Sequence, residues 1–273
     1  MKEESVRQFL NVVSTMAKMT KLCALQLDQD YFYFISSDTG VTGSTVWCQM
    51  ETESFFDEYK LEGVTEDSPY IYLEVQPVQM SQSLSLFRTA RDSLKSVKVK
   101  LTRKHEQACL SFAIEMFNSR QCIHDIPVAP IPRRDWPDYS KPEYEIVRGD
   151  FVSLIIPDVK KLKHIIDRYK NLGPYVKFEA SQKGNLRLSL LSDRVTLSTD
   201  FKDLQVVKNP AAVDVNAEPV IINTELKRLA SFLGADHTGS KNCVIHFVRE
   251  KLLHVSLMTN DVCLEYYLPG VQL

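Results

Sequence analysis

The chain has 273 residues, 44% of them hydrophobic and 25% charged, enough apolar material for one large core or two smaller ones. It contains no run of eighteen apolar residues, which excludes a hydropathy-defined transmembrane helix, and its first residues, MKEESVRQF, show no secretory apolar region. The formal net charge is −2, yet four helical windows, 3–21, 77–95, 158–170 and 224–233, together carry +7 and leave −9 on the remainder.

That segregation points to one polyanion-facing surface on an acidic body. Cationic helix faces are also ordinary solvated surface, so charge alone does not decide the function. Taken in chain order, residues 4–18 place Val6, Phe9, Leu10, Val13, Met16 and Ala17 on one face at the 3.6-residue period, with Arg7, Asn11, Ser14, Thr15 and Lys18 opposite. Strand-like runs follow at 22–27 (LCALQL), 31–36 (YFYFIS), 44–50 (STVWCQM), 55–59 (FFDEY) and 70–75 (YIYLEV). A second helix is predicted from Pro77, which suits the first helical position, with Met80, Leu84 and Phe87 inward and Arg88, Arg91 and Lys95 outward or flanking. Strands resume at 96–102, 108–117 and 121–128.

Residues 129–148 (APIPRRDWPDYSKPEYEIVR) hold four prolines and little apolar periodicity, which predicts a connector or surface crossover. The plan then repeats. A strand at 151–157 leads into a helix at 158–170, with Val159, Leu162, Ile165, Ile166 and Tyr169 inward. Lys160, Lys163, Asp167 and Lys170 lie opposite, with Lys161 and Arg168 beside them. Strands are predicted at 175–180, 185–191, 195–201 and 219–224. A short helix with Leu226, Leu229, Phe232 and Leu233 follows, and strands at 243–249, 252–258 and 262–268 complete the chain. Helix starts recur after roughly 150 residues, as an internal duplication would require. Closely spaced strands with few helices predict an α+β fold of antiparallel sheets covered by helices on one side.

Catalytic signatures are absent: the chain has no G-x-G-x-x-G, P-loop, G-x-S-x-G or H-E-x-x-H. Cys23, Cys48, Cys109, Cys122, Cys243 and Cys263 are dispersed without a CxxC and read as reduced residues of an intracellular protein. Cys122 and His124 form a C-x-H pair that lacks the partner spacing of a closed zinc site. The acidic pairs Asp28/Asp30 and Glu66/Asp67 flank turns and need no acid/base role. The aromatic runs at 31–34 and 265–268 fit strand cores as well as base-stacking platforms. No metal or cofactor is expected.

The segments VWCQMETESFF (46–56), LEGVTEDSPYIYLEV (61–75), VKVKLTRKH (97–105), HDIPVAPIPRRDW (124–136), TDFKDL (199–204) and LEYYLP (264–269) closely resemble the Hus-type subunit of the heterotrimeric DNA-damage checkpoint clamp. That family is related to the replicative sliding clamp PCNA, and the resemblance spans nearly the full chain. It implies a DNA-clamp fold: an N-terminal clamp domain at 1–128, a connector at 129–148 and a C-terminal clamp domain at 149–273. Antiparallel sheets would lie outside, with two helices per domain on a central channel. It further implies a non-catalytic subunit that joins two different clamp subunits in a ring around double-stranded DNA. A clamp loader, repair enzymes and checkpoint signalling in the nucleus belong to the same picture.

The channel candidates are then Arg7, Lys18, Lys21, Arg88, Arg91, Lys95, Lys160, Lys161, Lys163, Arg168, Lys170, Lys227 and Arg228. Phosphate contacts from helix flanks would hold DNA without reading its sequence. Ile131, Pro132 and Trp136 of the connector, with Leu268 and Pro269, are candidates for a partner groove; Trp136 serves equally well as a partner anchor or as a pin holding the connector to its sheet. The resemblance departs at the start. Family members begin with a strand before the first helix, whereas here residue 3 is already near that helix. Three alternatives stay open: another clamp-like subunit of the replicative or meiotic kind, a two-domain scaffold without DNA contact, and a nuclease.

Overall fold

The computed structural model describes residues 1, 3–37, 43–66, 68–85, 94–117, 120–191, 195–208, 217–234 and 242–273. The chain divides into two units, one of Met1–Ser37 with Trp47–Ser140 and one of Asp38–Val46 with Lys141–Leu273.

In the first unit, helix α1 (Glu3–Met19) buries Val6, Phe9, Leu10, Val13 and Met16, the face its periodicity predicts. Strands β1 (Cys23–Leu27), β2 (Tyr31–Ser37) and β3 (Thr45–Glu51) follow. Then come a one-turn helix α2 (Thr52–Phe55), β4 (Ile71–Val75) and helix α3 (Pro77–Ser83). The long hairpin of β5 (Leu94–Lys104) and β6 (Gln107–Met116) is continued by β7 (Gln121–Pro127). A two-residue strand β8 (Ala129–Pro130) closes the unit's larger sheet, whose order is β3-β2-β1-β4-β8; β5-β6-β7 form the second sheet. Phe9 of α1 reaches both sheets, with ring centroids 6.0 Å from Phe34 on β2 and 6.1 Å from Phe112 on β6. That helix therefore covers the seam where the two sheets share their apolar side chains.

Two local predictions fail here. The run at 55–59 is not a strand: the Thr52 hydroxyl donates to the carbonyl of Asp30 at 2.8 Å, and the Phe56 amide donates to the Thr52 carbonyl at 2.9 Å. These bonds wind the chain into one helical turn and bury Phe55. Helix α3 ends at Ser83, residues 86–93 of the predicted span lie outside the described residues, and β5 has begun by Leu94, so Lys95 stands on a strand and not in the predicted helix. The Ser85 hydroxyl donates to the Gln82 carbonyl at 2.7 Å, a local bond that competes with the helix just past its end. Val97 and Val99 favour a strand beyond it.

The second unit opens with β9 (Phe151–Ile156), then α4 (Val159–Tyr169), β10 (Tyr175–Ala180), β11 (Leu186–Leu191), β12 (Thr196–Phe201), β13 (Gln205–Val206) and β14 (Val220–Glu225). Helix α5 (Leu226–Leu233) and strands β15 (Asn242–Val248), β16 (Leu252–Met258) and β17 (Val262–Pro269) complete it. Its sheets run β13-β9-β15-β16-β17 and β12-β11-β10-β14, with antiparallel pairing throughout. Phe178 on β10 meets Phe247 on β15 at 5.9 Å, and Phe232 of α5 stacks on Tyr266 of β17 at 4.8 Å. The two units thus share one plan: paired antiparallel sheets with two helices packed on them. None of the six cysteines, all among the described residues, is in a disulfide.

Candidate nucleic-acid interface

Each unit presents a helix pair whose apolar stripe is spent on the sheets. In the first unit α1 lies along α3, with the Ser14 and Ser81 hydroxyl oxygens 3.3 Å apart. Arg7 and Lys18 stand exposed on α1, and Lys21 is exposed just past its end. Lys18 occupies the last turn, where a cation also complements the helix dipole. Arg88 and Arg91 lie outside the described residues.

Lys95 does not belong to a helix at all. It sits on β5 and pairs with Glu115 of β6 at 2.6 Å. The Lys95 ammonium, through its hydrogen bond and its charge, holds the Glu115 carboxyl below its ordinary range. A cation so engaged on a strand is a poorer phosphate ligand than one on an open helix face.

The denser group is in the second unit. Asp158 caps α4 by accepting the Lys161 amide at 2.9 Å, which sets the helix start directly after β9. Leu162, Ile166 and Tyr169 are buried beneath it. Lys160, Lys161, Arg168 and Lys170 are exposed, and Lys163 is half-buried. Lys161 lies with its Nζ 6.0 Å from the Phe201 ring centroid. Among the described residues, Lys160, Lys161, Lys163 and Arg168 make no ion pair, whereas Lys170 is held by Asp167 at 2.7 Å. On α5, which packs beside α4, Lys227 is exposed. Arg228 is turned into its own unit, 2.9 Å from Glu225 and 3.2 Å from the Ser44 hydroxyl. Among the described candidates, those without an ion pair are therefore Arg7, Lys18, Lys21, Lys160, Lys161, Lys163, Arg168 and Lys227. Like charges concentrated on α4 repel one another, and a bound polyanion relieves that repulsion.

The connector candidates resolve differently. β8 pairs with β4, the Ile131 amide donates to the Tyr72 carbonyl at 2.9 Å, and residues 133–139 form a 3₁₀ turn. The Trp136 indole donates to the Ile131 carbonyl at 2.9 Å, and its ring lies 4.8 Å from that of Tyr72. These contacts tie the connector turn to β4, and Trp136 itself is half-exposed. Pro132 is exposed and Ile131 half-buried. Leu268 and Pro269 belong to the second unit, where β17 pairs them with Leu253 and Leu252. Leu268 is only 2% exposed, a core side chain and no surface contact.

Sequence reasoning passed over one buried polar group. Tyr144, past the 3₁₀ turn, shares a 2.9 Å hydrogen bond with Nδ1 of His254. His254 in turn lies 3.2 Å from Glu265, and Lys141 reaches the other Glu265 oxygen at 2.6 Å. The latter is an ion pair without hydrogen-bond alignment, since that buried oxygen lacks a hydrogen-bond partner among the described residues. Alternation on β16 and β17 puts His254, Ser256 and Glu265 on the face away from Leu253, Val255 and Leu257, and nothing local signalled that 141 and 144 would cover that face. Among the described residues no three His, Cys, Asp or Glu side chains converge as a metal site. The Cys122 thiol and His124 ring are 3.3 Å apart and form a hydrogen-bonded pair.

The duplicated sheet-and-helix plan is that of the sliding clamps. The structure superposes on PCNA from Entamoeba histolytica with a TM-score of 0.72, at 14% identity over 98% of this chain and 96% of that one. It superposes on a chain of the PCNA2–PCNA3 complex from Sulfolobus tokodaii with a TM-score of 0.69, at 13% identity over 97% and 96%. Within that class the chain belongs to the Hus1-like protein family, whose model matches residues 1–272. It is 30% identical to checkpoint protein HUS1 of Homo sapiens, covering 97% of this chain and 95% of the relative. Identity to the Hus1-like checkpoint protein of Drosophila melanogaster is 27%, with the same coverage. The chain is a non-catalytic subunit of the checkpoint clamp.

Proposed function

We propose that this subunit closes a heterotrimeric ring with two different clamp subunits, and that the ring slides on double-stranded DNA in the nucleus. Two clamp domains, 1–128 and 149–273, would flank the connector at 129–148. The observation that carries the DNA contact is α4: four cations on the exposed flank of one capped eleven-residue helix, none neutralised by a described carboxylate. Lys227 extends that contact on α5, while Arg7 and Lys18 of α1, with Lys21 just past its end, would give the first unit a contact of its own. Side chains at this level meet phosphates and leave base edges unread, which suits a protein that must move along DNA.

Edge strands supply the means of assembly. β7 ends its sheet with Ile123 55% exposed, and β12 ends another. Such open ladders are satisfied by pairing with a neighbour, and strands of unlike sequence favour unlike partners. Arg88 and Arg91 remain candidates for the channel, and the exposed Pro132 with Ile131 for repair-enzyme or loader contacts. Co-expression with the two partner clamp subunits tests the reading: a 1:1:1 complex is expected, retained on closed circular DNA and lost on linearisation. A stable homotrimer, or a ring whose DNA retention ignores substitution of Lys160, Lys161 and Lys163, overturns it.

A further inference from the structure

Strand alternation divides the aromatic run at 31–34 between two faces. Phe32 and Phe34 turn toward α1, with ring centroids 6.3 and 6.0 Å from that of Phe9. Tyr31 and Tyr33 therefore stand on the opposite face of the larger sheet of the first unit, half-exposed and 6.2 Å apart. Register brings two more tyrosines to that face. Gln26 of β1 lies between Tyr33 and Tyr72, and its side-chain oxygen accepts the Tyr72 hydroxyl at 2.9 Å. One step past the Leu27 pairs, Asp28 lies in the same way between Tyr31 and Tyr70, its amide donating to the Tyr31 carbonyl at 3.0 Å. Two strand spacings put the backbones of Tyr31 and Tyr70 about 10 Å apart, and Tyr70 is 39% exposed.

The carboxylate between them has no cation. Asp28 Oδ1 accepts the Asp30 amide at 2.9 Å and the Tyr31 amide at 2.6 Å, which fixes the side chain at the turn. No Lys or Arg pairs with it among the described residues. The tyrosines feel its charge: burial first, then Asp28 and the neighbouring Tyr31 and Tyr70, raise the Tyr33 hydroxyl above its ordinary range. More carboxylates gather at the same end of the sheet. The Thr52 amide donates to the Asp30 carbonyl at 2.9 Å and the Tyr59 hydroxyl to the Asp28 carbonyl at 2.8 Å, which brings along their chain neighbours Glu51 and Glu58. Asp30, Glu51 and Glu58 are exposed and make no ion pair among the described residues.

Electron-rich ring faces around a fixed anion attract a cation. A nucleic-acid base also stacks on tyrosine, but its phosphate would enter this acidic rim and be repelled. Arginine suits the face better than lysine, because its planar, weakly hydrated guanidinium stacks on a ring while its edge donates to a carboxylate. We infer that the tyrosine face around Asp28 docks a basic segment of a partner protein through an inserted arginine. The guanidinium lies against Tyr31 and Tyr70 and donates to Asp28. Asp30, Glu51 and Glu58 attract the basic residues on either side of it. This surface is independent of the DNA contact proposed above, since α1 packs on the other face of the same sheet.

A short fluorescent peptide alternating arginine with glycine, titrated into the full chain at physiological ionic strength and followed by anisotropy, tests it. Saturable 1:1 binding is expected, at least fivefold tighter than for a lysine peptide of equal charge. Asp28→Asn keeps an acceptor for the two turn amides and removes the charge, and it should weaken binding at least fivefold. The double variant Tyr31→Leu/Tyr70→Leu, at positions exposed enough to leave the fold intact by circular dichroism, should do the same. Glu143→Gln, at an exposed carboxylate of the second unit, should leave binding unchanged. Absence of binding, or no preference over the lysine peptide, overturns the inference. Equal losses from Asp28→Asn and Glu143→Gln overturn it by reducing the binding to general attraction between opposite charges. Binding of oligothymidylate that Tyr31→Leu/Tyr70→Leu abolishes overturns it by assigning the face to single-stranded nucleic acid.

Discussion

His246 and His254 stack at 4.8 Å on neighbouring strands, and His254 lies 3.2 Å from the Glu265 carboxylate. Burial, followed by repulsion from His254, pushes the His246 pKa down to about 4 despite the attraction of Glu265. A histidine that stays neutral when folded and takes a proton when unfolded costs stability as pH falls. The loss begins near pH 6.5 and is complete near pH 4, amounting to about 3 kcal/mol as an upper figure for a group not fully buried. Burial raises the Glu265 carboxyl, but the close contacts of His254 and of the Lys141 ammonium outweigh it, and the net shift is downward. Its contribution is present at neutral pH and is lost as pH drops through the lowered value. Replacing His246 by phenylalanine keeps a ring in the stack and should flatten the melting temperature between pH 7 and 5, measured by differential scanning calorimetry. An unchanged pH slope would exclude His246 as its source. A backbone contrast belongs here too. Gly184 has φ +81°, and a Cβ there would lie 2.3 Å from the Leu204 carbonyl oxygen, whereas Gly63, at φ +87°, faces open space. Gly63→Ala should cost only the left-handed strain, about 1–2 kcal/mol. Gly184→Ala adds a backbone clash and should cost more than about 2 kcal/mol in urea unfolding.

Helix α4 is where burial and charge separate most cleanly. Its inward side chains hold it to the sheet, so Lys160, Lys161 and Lys163 can be changed together to alanine with a stability cost of about 1 kcal/mol or less, surface substitutions being nearly neutral. In an assembled ring the same change should lower the slope of log affinity against log salt by about 2–3, since each lost phosphate contact removes about 0.9. The connector behaves in the opposite sense. Trp136→Ala removes a ring stacked on Tyr72 and a bond to Ile131, so about 1–3 kcal/mol of stability should go with it. Trp136→Phe should recover the stacking share alone. Were Trp136 a partner anchor, both variants would melt like the parent and lose partner binding instead.

For the molecule as a whole, the assembly prediction follows from open edges of unlike sequence. The purified chain should sediment as a monomer and enter a ring only with two different clamp subunits. The internal repeat was legible without coordinates because apolar side chains recur at helical and strand periods, and burial follows those periods directly. Helices α1, α4 and α5 lie within two residues of their predicted ends, and the inward residues of α1 and α4 are for the most part those the pattern named. The predicted second helix took in Lys95 because helical spacing carries no account of strand pairing, which puts that residue on β5. Candidate cations were legible as a pool and no further. Which of them are free depends on carboxylates brought close by folding: Glu115 opposite Lys95 through strand register, Glu225 beside Arg228 through helix entry, Asp167 one turn from Lys170. The third of these was readable from its spacing, while the first needed the pairing of two strands. The cover of Tyr144 and Lys141 over His254 and Glu265 joins residues more than a hundred positions apart. One-dimensional periodicity reports which way a side chain faces. Its electrostatic partner is set by three-dimensional distance, because Coulomb attraction and hydrogen bonding act over a few ångströms of space whatever the separation along the chain.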